Sequence, residues 1–129
     1  MAGTFDVSWQ PGGVLLQKRT GLLTVQEATA YVAAVMKAIE TAPARWGAVV
    51  DMRDSTPQTE EVQEIVKDLI RYVESKGVCR VALVSSSAIT GMQHRRIASS
   101  PGMHDASAVT FHQNYDEAMT DVRNAVAAG

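Results

Sequence analysis

The chain has 129 residues, 46% of them apolar and 20% charged, with a formal net charge of −2 and one cysteine. That profile suits a single domain over residues 1–129 with its own core and argues against disorder; the slight negative charge supplies no field to gather phosphates, so nucleic acid is not expected as a partner. Cys79 alone admits no internal disulfide, no basic-then-apolar leader opens the chain, and no apolar run nears the roughly 20 residues that span a bilayer, so the expected setting is the cytoplasm without a transmembrane segment.

Phe5-Asp6-Val7-Ser8-Trp9 alternates apolar and polar, as a half-buried strand does. Gln10-Pro11-Gly12-Gly13 is turn chemistry, and a second strand is predicted over residues 14–23, forming an antiparallel hairpin with the first. Thr24-Val25-Gln26-Glu27 has the capping-box pattern. Val25, Ala28, Val32, Val35, Met36 and Ile39 then recur at helical spacing, which predicts a helix over residues 25–41, stopped by Pro43. The near-continuous apolar run at residues 47–52 reads as a strand covered on both faces.

Thr56-Pro57 is expected to start the next helix, with Glu60, Glu61 and Glu64 near its positive end. Its apolar stripe is Val62, Ile65, Val66, Leu69, Ile70 and Val73, and Gly77 ends it. Residues 80–84 form another buried strand, followed by Ser85-Ser86-Ser87 and a helix with a weak stripe of Ile89, Met92 and Ile97. Residues 108–111 are the last strand; Asn114 caps a final helix in which Ala118, Val122, Ala125 and Val126 face inward. The order is β-β-α-β-α-β-α-β-α: an α/β fold whose mixed sheet of about five strands is mostly parallel, with helices packed on it.

That order, with its hairpin start, resembles the STAS domain of anti-sigma-factor antagonists, and more closely the SpoIIAA-like branch of small bacterial proteins. The resemblance is carried by Gly13-Val14-Leu15-Leu16, Gly21-Leu22-Leu23-Thr24, Val49-Val50-Asp51-Met52-Arg53, Val81-Ala82-Leu83-Val84 behind Gly77-Val78-Cys79-Arg80, Val109-Thr110-Phe111 and Asp116-Glu117-Ala118. It covers nearly the whole chain. Phospho-switched STAS proteins have an Asp-Ser-Ser-Gly type stretch after the third strand. The corresponding region, Asp51-Met52-Arg53-Asp54-Ser55-Thr56-Pro57-Gln58-Thr59, has hydroxyls but lacks the Ser-Gly pair, so phosphorylation is not expected as the main switch, with Ser55 the best acceptor there. The SpoIIAA-like branch implies an apolar or amphipathic small molecule as ligand, or peripheral contact with a membrane surface. The anti-sigma branch implies a regulatory module with a protein partner.

In open α/β sheets, ligands sit outside the carboxyl ends of parallel strands. Here those ends carry residues 51–56, 85–87 and 112–114, many of which are also ordinary helix-capping types. Ser85, His112 and Asp51 are the residue types of a hydrolase triad, but no nucleophile-elbow motif accompanies them, so no catalytic residues are assigned and the chain is read as non-enzymatic. His94, His104 and His112 lack metal-ligand spacing, and Gly12-Gly13 sits in a hairpin, so no metal, nucleotide or other cofactor is expected. The segment after the fourth strand combines soft apolar residues with the one dense basic cluster. Ile89, Met92, His94, Arg95, Arg96, Ile97 and Met103 are therefore expected to line or cover a pocket with Arg53 and Ser85 on its polar rim, Arg taking an acidic head group and Met and Ile an apolar tail.

Overall fold

The structure, a computed structural model, describes residues 3–86 and 109–128. The described elements are β1 (Thr4–Gln10), β2 (Val14–Gly21), α1 (Val25–Ile39), β3 (Gly47–Ser55), α2 (Glu60–Ser75), β4 (Val81–Val84), β5 (Val109–His112) and α3 (Tyr115–Ala127). The helix expected between the fourth and fifth strands lies outside the described residues. The five strands form one sheet in the order β1-β2-β3-β4-β5, with β1 antiparallel to β2 and all other neighbours parallel.

The hairpin turn needs its glycines: Gly12 and Gly13 adopt φ of 93° and 76°, a region closed to residues with a Cβ except at a cost. Beyond it, strand parity decides which helix each residue meets. Leu15, Ala48, Val50, Met52 and Leu83 are buried towards α1 and α2, which lie on one face as same-handed crossovers of sequential parallel strands must. Val14, Val49, Ala82 and Val84 face the other way, against Ala118, Met119 and Val122 of α3. There α3 approaches so closely that a Cβ on Gly47 would lie 2.4 Å from a Val122 methyl. The end of α3 is held by Arg45, whose guanidinium donates to the carbonyls of Val126 and Ala125 at 2.9 Å each. No helix among the described residues is long and apolar enough to cross a membrane.

Four expectations are corrected. β2 stops at Gly21 rather than residue 23, because the Leu23 N–H donates to Gln58 Oε1 (2.9 Å). The predicted stripe of α1 is rotated: Ala28, Tyr31, Val35 and Ile39 are buried, while Val25 and Met36 are 44% and 37% exposed. Tyr31 draws that face inward, its ring edge-on to Phe5 and its hydroxyl donating to Gln17. The helix ends at Ile39, and its last turns tighten as Thr41 N–H bonds Ala38 O at 3.2 Å. α2 begins at Glu60, not at Thr56-Pro57, because Thr59 is the N-cap, accepting from Val62 N–H at 3.3 Å.

In α3 the buried residues are Ala118, Met119 and Val122, with Ala125 and Val126 only half-buried. Trp9 and Trp46 pack edge to face with centroids 5.8 Å apart, and Trp46 belongs to the main core. The capping box at Thr24 and Glu27 and the Asn114 cap are both present.

Leu69 is 4% exposed in the core between α2 and the sheet, so Leu69→Ala should destabilise the fold by about 2–4 kcal/mol, read from chemical denaturation. Gln58→Leu should cost about 1–3 kcal/mol, because it strands the buried Leu23 N–H without an acceptor. A thermal midpoint within a degree of wild type would contradict either assignment.

Candidate functional site

The carboxyl ends of β3, β4 and β5 do meet. Ser86 Oγ donates to Arg53 O at 3.0 Å, and Ser85 N–H donates to His112 O at 3.1 Å. The centre of this rim is Asp51, whose side chain is 4% exposed on the α3 face. Arg53 grips it as a fork: Nε donates to Oδ1 at 2.9 Å and Nη2 to Oδ2 at 2.8 Å, while the Arg53 backbone N–H reaches Oδ1 at 3.2 Å. The guanidinium also lies over the Tyr115 ring, 5.0 Å from its centroid. Arg53 is thus a pre-set cation, 43% exposed, with two of its five N–H donors engaged. Its remaining donors suit a carboxylate or phosphate of an incoming partner.

The register between β2 and β3 shifts after Lys18↔Asp51, resuming at Thr20↔Asp54, so β3 carries one extra residue beside this pair. Ser55, the expected acceptor of a phosphate, is 7% exposed; its hydroxyl donates to Thr56 O (3.3 Å) and accepts from Gln58 Nε2 (3.2 Å). Ile89, Met92, His94, Arg95, Arg96, Ile97 and Met103, the expected pocket residues, lie outside the described residues.

Two polar clusters escaped the sequence reading. On the α3 face, Asp121 holds Arg80 Nη1 at 2.7 Å, Thr110 Oγ1 at 2.6 Å and His112 Nε2 at 3.1 Å. His112 therefore turns to Asp121, and Asp51 is held by Arg53, so Ser85, His112 and Asp51 do not form the relay of a triad. On the opposite face, Gln17 and Arg19 of β2 are 3% and 2% exposed. Arg19 donates to Met52 Sδ at 2.8 Å and lies 5.4 Å from the Tyr31 ring centroid. With Tyr31 they floor a cavity of about 50 Å³ whose walls include Val50, Leu69, Val73 and Leu83. The signal was there: Gln17 and Arg19 share the parity of Leu15, the wrong side for solvent-facing residues.

Burial pushes the Tyr31 hydroxyl up from its ordinary value, partly offset by the Arg19 charge, so it remains a neutral donor to Gln17. Burial also pushes Asp51 and Asp121 up. For Asp51 the side-chain and backbone hydrogen bonds from Arg53, with its charge and that of Lys18, outweigh burial. For Asp121 the bonds from Thr110 and His112 and the Arg80 charge do the same. Both carboxyls sit below their ordinary 3.8.

No protein-family model and no curated protein matches the chain. Among solved structures it is similar to an uncharacterized protein of the DUF3478 family with a SpoIIAA-like fold from Shewanella loihica PV-4: 15% identity, 94% of each chain covered, TM-score 0.67. It is also similar to an anti-sigma factor antagonist from Mycobacterium paratuberculosis: 19% identity, 94% of each chain covered, TM-score 0.63. At such identities the likeness establishes the fold.

A carboxyl held below its unfolded value adds stability that is complete above about pH 4 and is lost as pH falls through the folded value. Asp51→Ala should therefore cost about 1.5–3 kcal/mol at pH 7, since it removes hydrogen bonds to a charged group. The gap to wild type should close in urea titrations taken stepwise below pH 4; a gap that stays constant down to pH 2 would contradict the ion pair as its source.

Proposed function

We propose that this chain, with its SpoIIAA-like fold, is a non-enzymatic regulatory module that presents the carboxyl rim of its parallel strands to a protein partner. The observation that carries this reading is Arg53, fixed before any encounter by the Asp51 fork and the Tyr115 ring yet 43% exposed. A side chain already ordered loses little entropy on binding, which is how a surface residue becomes an anchor. The likeness to an anti-sigma factor antagonist over 94% of both chains supports the same reading. An acid committed to Arg53 and an imidazole committed to Asp121 support a binding role over hydrolysis.

A second reading, an apolar or amphipathic small molecule, has the cavity floored by Gln17, Arg19 and Tyr31 in its favour. Its volume of about 50 Å³ is well short of the roughly 300 Å³ at which ligand pockets begin, so the protein partner is the stronger reading. Peripheral membrane contact belongs with this second reading. Phosphorylation of Ser55 is no part of either, because its hydroxyl is buried under Gln58.

Affinity capture with tagged wild-type protein from its native cells, read by quantitative mass spectrometry, should enrich a partner that Arg53→Ala fails to retain. With that partner purified, Arg53→Ala should weaken binding at least about tenfold, equivalent to ~1.4 kcal/mol. A partner held equally well by Arg53→Ala would overturn the role of the rim. A stoichiometric apolar ligand in native mass spectra, with no protein partner, would favour the second reading.

A further inference from the structure

Three large apolar residues are exposed among the described residues, and two of them, Leu22 and Val25 at 44% each, stand three positions apart at the entry to α1. The backbone beneath them is fixed. Leu23 N–H donates to Gln58 Oε1 at 2.9 Å, and Gln58 Nε2 donates to Gly21 O at 3.0 Å, which locks the residues on either side of Leu22 to the loop before α2. On the other side, Thr24 N–H donates to Glu27 Oε1 at 2.8 Å and Glu27 N–H to Thr24 Oγ1 at 3.1 Å. The apolar pair is therefore presented on an ordered support, so a partner that covers it gains burial with little loss of chain entropy.

The surroundings of the pair are acidic. The Gln58 clamp brings the starts of α1 and α2 side by side. The two segments it joins, residues 20–27 and 54–64, contain Glu27, Asp54, Glu60, Glu61 and Glu64 and no Lys or Arg. Two helix N-termini offset this by only about half a charge each. An apolar pair framed by carboxylates repels an anionic bilayer and repels a second copy of itself.

We propose that Leu22 and Val25, framed by Glu27, Glu60 and Glu61, are the docking point for a basic amphipathic segment of a protein partner, apolar residues covering the pair and Lys or Arg meeting the acids. This rests on the protein-interaction reading and adds a surface at the entry to α1, apart from the Arg53 guanidinium that lies over Tyr115 of α3. It also accounts for Val25, an apolar helix residue that the Tyr31-centred core leaves outside.

The test uses the whole chain, ¹⁵N-labelled, with three probes: a synthetic Leu/Lys amphipathic helix, its Leu/Glu counterpart, and phosphatidylglycerol vesicles. The Leu/Lys peptide should shift the amide resonances of residues 22–27 and 60–62, more weakly as salt rises, while the Leu/Glu peptide and the vesicles leave them in place. The double variant Leu22→Ser with Val25→Ser should reduce affinity for that peptide at least about tenfold while the chain keeps its fold, read from an otherwise unchanged amide spectrum, since neither residue belongs to the buried core. Glu60→Gln with Glu61→Gln should reduce it less and flatten its salt dependence. The proposal is overturned if the Leu/Lys peptide shifts other residues only, if the serine variant binds it as tightly as wild type, or if the vesicles perturb residues 22–27. A captured partner that Arg53→Ala loses and the serine variant retains would remove this docking point while leaving the protein-interaction reading in place.

Discussion

At the carboxyl end of the sheet the amide of Gln58 stands in for the backbone ladder that β2 and β3 stop supplying. Its oxygen takes the buried Leu23 N–H, and its nitrogen lies within hydrogen-bonding distance of Gly21 O (3.0 Å), Thr56 O (2.6 Å) and Ser55 Oγ (3.2 Å). An amide nitrogen has two hydrogens for these three acceptors, so one bond is shared, yet every group is served. A buried N–H without a partner costs about 1–3 kcal/mol, and this one side chain, 9% exposed, prevents that loss at Leu23. The exit of β2, the exit of β3 and the entry to α2 are consequently one rigid unit. The backbone on either side of Leu22 is held by it.

The sheet divides its polar residues by parity into two groups with different physics. On the α3 side, the carboxylates of Asp51 and Asp121 are desolvated, and the hydrogen bonds and charges of the part-exposed groups that hold them outweigh that cost and keep them ionised. On the other side Arg19 is almost fully enclosed, touching Met52 sulfur and the Tyr31 ring beside an apolar cavity. A guanidinium tolerates such surroundings better than an ammonium does, being more weakly hydrated and able to stack. The volume of that cavity, rather than its chemistry, weighs against a bulky ligand.

Sharing a fold with an anti-sigma factor antagonist does not by itself transfer its role, because folds host many functions and sites carry them. What the comparison adds is the fold. The proposed role rests on residues of this chain: a guanidinium set in place by Asp51, and an apolar pair beside the Gln58 clamp.

Much of the architecture was legible in the sequence because it depends on local periodicity and local chemistry. The hairpin at Gly12-Gly13, the capping box at Thr24 and the stripe of α2 follow from spacing within about a dozen residues, and the mixed, mostly parallel sheet from the alternation of such elements along the chain. The same reasoning put the ends of β3, β4 and β5 at one rim, but it could not say which side chains there would pair. Asp51 takes Arg53 because residues two apart on a strand share a face, a local signal, whereas His112 takes Asp121 because of the position of α3, which no short window contains. Thr56-Pro57 looked like a helix start by composition, and tertiary contact overruled it: Gln58 was needed at the ends of β2 and β3, which delayed α2 to Thr59. Tyr31 likewise turned α1 because its hydroxyl, donating to Gln17 Oε1, made a buried aromatic position favourable there. The sequence by itself determined the elements and their order, since hydrogen bonds within a helix or hairpin close over a few residues. Only the tertiary structure decided which polar groups are buried and which apolar ones are left outside, since each buried polar group must find its partner across the fold.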